Sequence, residues 1–147
     1  MANLISRSVD EYIDEPIKRR AEAGLPMDVF VLDAHGHVGP FPLFYSPRSD
    51  PESMVTVMDR IGVAAVAVSA NLSLISDCFA GNGQVAAITD RLPGRFIGYV
   101  TANPNYPLSE TKADLDRWLG GDYPWMRAIK LHPSMHNYPI TGPHYRV

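Results

Sequence analysis

Four short apolar runs recur along the chain, each separated from the next by a stretch suited to a helix. Val29-Phe30-Val31-Leu32 is too short for a helix and rich in strand formers, the pattern of a parallel strand buried on both faces. Val63 to Val68 and Phe96 to Val100 repeat that pattern, and Met126 to Leu131 is the fourth run. After the first strand, Asp50-Pro51 supplies an N-cap and a proline at the first helical position. Met54, Val55, Met58 and Ile61 then recur at helical spacing before Gly62 ends the turn. Ser76 to Leu92 reads as the next helix, with Val85, Ile88 and Leu92 on one side, Gly81 and Gly83 weakening its first half, and Pro93-Gly94 ending it. Ser109 is placed to cap a third helix reaching Leu119, and Pro133 to Val147 reads as proline-rich loop.

Ahead of the first strand, Ser8-Val9-Asp10-Glu11 has the form of a capping box and predicts a helix from near Val9. Pro16 either kinks that helix or starts a second one after Asp14 or Glu15, and Gly24 before Leu25-Pro26 stops it. Residues 1–28 therefore read as a helical N-terminal extension and 29–147 as a β/α series. The strand starts at 29, 63, 96 and 126 lie 34, 33 and 30 residues apart, the length of a strand-helix unit that returns the chain to a parallel neighbour. Four such units make half of a (β/α)₈ barrel, which takes about 250 residues, or else an open doubly wound sheet.

At 147 residues the chain is long enough for one domain or part of one. Its 13 basic and 16 acidic residues give a net charge of −3, which excludes a polycation built for nucleic acid. The single cysteine, Cys78, excludes an internal disulfide and a Cys-x-x-Cys zinc or redox pair, so a reduced, cytoplasmic setting is expected, with Cys78 a small buried residue. The first residues are acidic and lack the apolar stretch of a secretory signal. The longest apolar run is the six residues Val63 to Val68, whereas a membrane span needs about 20.

All five histidines fall in two places: His35 and His37 at the end of the first strand, and His132, His136 and His144 at and after the end of the fourth. In parallel β/α folds the C-terminal strand ends make the ligand-binding face. Residues i and i+2 of a strand point to the same side, so Asp33, His35 and His37 are expected to share a face and the two imidazoles to converge on one ion. Neutral imidazole suits Zn²⁺ and other first-row metals. The plainer reading is a pair of strand-end histidines satisfied by backbone carbonyls.

Asp33-Ala34-His35-Gly36-His37-Val38-Gly39 after an apolar strand, with Ile129-Lys130-Leu131-His132-Pro133 after the fourth, resembles the amidohydrolase superfamily. The closer likeness is to its amidohydrolase-2 branch, which includes the aminocarboxymuconate semialdehyde decarboxylases, and it covers Val29 to Val147. The resemblance implies a (β/α)₈ barrel of metal-dependent hydrolase type whose divalent metal, usually zinc, is held by His35 and His37. It also implies a further histidine from strand five and a proton-transferring aspartate from strand eight. Neither position occurs in this sequence, so the expectation is the first four β/α units of such a barrel, inactive as this chain alone, with no catalytic residue assigned within it.

Lys130 sits where some amidohydrolases carry a carboxylated lysine. Strand alternation puts it on the same side as His132, where anchoring a substrate carboxylate is the simpler role. His132 either lines the pocket or turns the chain before Pro133, while His136 and His144 read as surface loop residues. Asp33 is either the partner that orients a metal-binding histidine or a buried structural carboxylate. The aromatic, proline-rich stretch from Gly39 to Ser49 is long for a βα loop; it either shapes a pocket for an apolar or aromatic substrate or packs on itself as a rigid surface loop.

Three functions fit these residues. The leading one is a metal-dependent hydrolase or non-oxidative decarboxylase acting on a small, carboxylated or cyclic substrate. The second is a non-catalytic α/β domain binding a small ligand or a protein. The third is a half-barrel that assembles with a second copy or with a complementary chain.

Overall fold

The structure, a computed structural model, describes residues 15–141. The capping box at Ser8 to Glu11, the helix expected near Val9 and His144 lie outside the described residues. The chain enters through α1 (Glu15–Glu22) and then alternates strands with helices: β1 (Leu32–Val38), α2 (Pro51–Ile61), β2 (Ala65–Ala70), α3 (Asn71–Ile75), α4 (Cys78–Arg91), β3 (Phe96–Thr101), α5 (Leu108–Leu119), β4 (Met126–Lys130) and α6 (Pro133–His136). All strand pairs are parallel, in the order β1-β2-β3-β4. The protein is α/β, with helices making the crossovers that parallel pairing requires.

The core forms where α2, α4 and α5 close on the sheet. Val66, Val68 and Ala70 of β2 and Phe96 and Val100 of β3 pack with Met58, Val85, Ile88 and Trp118. The local signals for α2 act as read. The Asp50 carboxylate accepts the Ser53 N–H at 2.8 Å, and Gly62 takes the left-handed conformation (φ 81°) that ends the helix.

Several boundaries differ from the sequence reading, β2 among them, which is Ala65–Ala70 rather than Val63 to Val68. The first strand is Leu32–Val38, not the apolar run before it, so the histidines lie inside the strand. Phe30 is 79% exposed, and the ladder to β2 runs from Leu32 opposite Ala65 to Val38 opposite Ala70. Helix α4 starts at Cys78 because Asp77, not Ser76, caps it, accepting the Ala80 N–H at 2.9 Å. Before it stands the short helix α3, and Gly81 makes that pairing possible: a Cβ there would lie 2.5 Å from the Ser73 backbone N. Helix α5 begins at Leu108 behind Pro107, without a serine cap, and α6 occupies part of the expected loop.

Cys78 is buried, and its thiol donates to the Ser73 carbonyl at 3.1 Å. Burial, and after it the nearby carboxylates of Asp114 and Asp77, push its pKa up to about 12. At pH 8 about one thiol in ten thousand is then ionised. Native protein is expected to resist thiol reagents until denaturant is added, which a timed labelling assay with a chromogenic disulfide checks. Among the described residues no helix is long and apolar enough to cross a membrane.

Candidate metal centre

The two strand-one histidines meet on β1, which is irregular around the first of them. Asp33 lies opposite Val66, yet Gly36 lies opposite Val68, so three steps along β1 match two along β2 and β1 carries an extra residue. Simple alternation is thereby broken. Asp33 faces a core-lining neighbour, whereas His37 lies opposite Ser69, so Asp33 does not share a row with His37 as expected. Its carboxylate instead accepts the backbone N–H of His35 at 2.9 Å, tying the bulge locally. From β3, the Tyr99 hydroxyl donates to the Ala34 carbonyl at 2.8 Å and holds the same bulge from across the sheet.

The outcome is a close approach of two imidazoles: His35 Nε2 and His37 Nε2 are 3.1 Å apart, with ring planes at 62°. Two nitrogens each about 2.0–2.1 Å from one tetrahedral ion lie about 3.3 Å from each other. The pair therefore has the separation of two ligands to a single ion, and imidazole nitrogens are the right donors for zinc. Burial first, then the Lys130 ammonium and the neighbouring His35 and His132 rings, hold the His37 pKa below the ordinary histidine value, so its ring is neutral and keeps a lone pair near neutral pH.

Lys130, at the end of β4, reaches across to β1, where its Nζ lies 3.0 Å from His35 Nε2. The ammonium has only hydrogens to offer, so His35 Nε2 is the acceptor and carries a lone pair. His132 combines the two roles left open by the sequence. Its Nδ1 accepts the Met135 N–H at 3.2 Å and caps α6, and its ring also lines the neighbouring cavity. With Nδ1 accepting, the neutral ring carries its proton on Nε2, so His132 presents a donor there rather than a ligand lone pair.

His136 is not a surface residue. It is buried at the end of α6 with its Nε2 3.2 Å from the Ser73 carbonyl, because α6 folds back onto α3, and that burial lowers its pKa. Among the described residues no group of three or more His, Cys, Asp or Glu side chains is placed to hold an ion, and β1 contributes a pair of imidazoles.

Beside His37 opens a cavity of about 360 Å³. Phe41 and Phe44, with ring centroids 4.9 Å apart, form an aromatic wall with Met54, Leu74 and Met135, and the Arg48 side chain adds a cation. The long loop after β1 thus contributes to a pocket wall. Arg48, Ser69 and Tyr99 were not singled out from the sequence. A polar residue closing an apolar strand is the signal that marks Ser69, since strand ends of this kind line sites; Tyr99 and Arg48 have no comparable local signal.

No protein-family model matches the chain, and no curated protein matches it.

Proposed function

We propose that the chain is the N-terminal half of a (β/α)₈ metal-dependent hydrolase or non-oxidative decarboxylase of amidohydrolase type. In this reading His35 and His37 hold one divalent ion, zinc being the best fit to their chemistry. The observation that carries it is the 3.1 Å approach of the two Nε2 atoms near the C-terminal end of a parallel strand, where ligands bind in such folds. An ion there would supply Lewis acidity toward a carbonyl or carboxylate of the substrate. Lys130, whose Nζ lies 3.0 Å from His35 Nε2, would anchor a substrate carboxylate, Arg48 would add a cation from the cavity wall, and Phe41 and Phe44 suit a cyclic or aromatic body. The substrate class is a small carboxylated or cyclic molecule.

A specific observation also favours assembly with a second half. Among the described residues strands β1 and β4 each pair on one side only, and Phe30, Leu32, Ile129 and Leu131 at or beside them are exposed. In this reading four further strands, from a second copy or a complementary half-barrel, cover those edges and supply the remaining ligand and the proton-transferring carboxylate. The metal assignment is tested by equilibrium dialysis against zinc. His35→Ala and His37→Ala are each expected to weaken binding by about tenfold or more, since even partners behind a ligand cost about 10–100-fold. His144→Ala is expected to leave it unchanged. Equal binding by both strand-one variants and the parent would sink the assignment.

A further inference from the structure

We infer that Ser69 is a positioning residue of this centre: its hydroxyl accepts the Nδ1–H of His37 and so leaves the Nε2 lone pair turned toward His35. The inference rests on the metal-centre reading above and adds a residue on a different strand. Ser69 is the register partner of His37 in the parallel β1–β2 ladder, so strand pairing itself sets the two side chains next to each other. The Ser69 Oγ lies 3.1 Å from His37 Nδ1, and Ser69 is 1% exposed, so water does not compete for that hydroxyl.

Hydrogen-bond accounting favours one direction of the bond. A neutral imidazole carries one N–H, on Nδ1 or on Nε2. If His37 carried it on Nε2, its neighbour would be His35 Nε2, whose single in-plane lone pair already accepts from Lys130. The arrangement that gives the His37 proton an acceptor of its own puts it on Nδ1, against Ser69. Metal-binding histidines depend on such a partner for the other ring nitrogen, because it sets both tautomer and ring orientation. Asp33, the partner expected from the sequence, is occupied with the His35 backbone.

The test reads the tautomer before any metal is added. In the full chain labelled with ¹⁵N-histidine, long-range proton-nitrogen spectra at about pH 8, where neutral rings dominate, are expected to show His37 protonated on Nδ1. Ser69→Ala is expected to move that proton toward Nε2, and Ser69→Thr, which keeps the hydroxyl, to restore the parent pattern. Zinc affinity, measured in parallel, is expected to fall about 10–100-fold in Ser69→Ala and to recover in Ser69→Thr. A parent protein with His37 protonated on Nε2 overturns the inference whether or not any variant folds. So does a Ser69→Ala chain with parent tautomer and parent affinity. Failure of the parent to take zinc at all would instead count against the metal-centre reading, while the metal-free spectra still decide what Ser69 does to the ring.

Discussion

Gly36→Val is expected to lower the unfolding midpoint by roughly 2–12 °C and to abolish zinc binding together. Gly36 lies between the two histidines, within the irregular part of β1, with Val66 and Val68 beneath it. A Cβ at this position would stand 2.6 Å from Val66 Cγ2 and 3.1 Å from Val68 Cγ1, and both valines belong to the packed core. Branched side chains held at one rotamer do not swing aside, so β1 must lift from β2. Overpacking of this kind costs about 1–3 kcal/mol, and in a chain of this size each kcal/mol moves the midpoint by about 2–4 °C. The same displacement separates His35 from His37 and His37 from Ser69, so stability and zinc affinity fall together. Thermal unfolding and zinc dialysis on one sample check both; a stable variant that keeps parent affinity would mean that the close packing at Gly36 does not set the ring geometry.

Self-association is the second large effect. Among the described residues both outer strands, β1 and β4, have an edge without a partner strand, and open edges are templates for further pairing. Asp33 on β1 and Arg127 and Lys130 on β4 put some charge on these strands, but exposed Phe30, Leu32, Ile129 and Leu131 lie at or beside them. Sedimentation of the 147-residue chain is expected to show dimers or larger species at micromolar concentration, and Phe30→Lys with Ile129→Lys to shift the population toward monomer. A stable monomer that binds zinc tightly would favour a self-sufficient α/β domain instead.

The parts of this fold written in local chemistry were legible. Asp50, Pro51 and Gly62 each act within one turn of α2, and the spacing of apolar runs sufficed to expect parallel strands joined by helices. The start of β1 was not legible, because Val29 and Phe30 look like strand but lie exposed, while the strand itself is disguised by an aspartate, two histidines and a glycine. The burial of His136 depends on α6 meeting α3, residues some 60 positions apart in sequence, and no local pattern announces it. At the site, two histidines separated by one residue suggested convergence, while the bulge that takes Asp33 out of their row was not legible. Ser69 and Tyr99 needed the register and order of the strands before their roles could be read.

The central claim, one ion shared by His35 and His37, is tested most directly by X-ray absorption at the zinc edge of the loaded chain. The expected spectrum has nitrogen neighbours at about 2.0–2.1 Å with the outer-shell scattering of two imidazoles. That scattering is expected to drop to one imidazole in His35→Ala and in His37→Ala. Zinc whose spectrum lacks imidazole scattering, or is the same in the parent and both variants, would contradict the account.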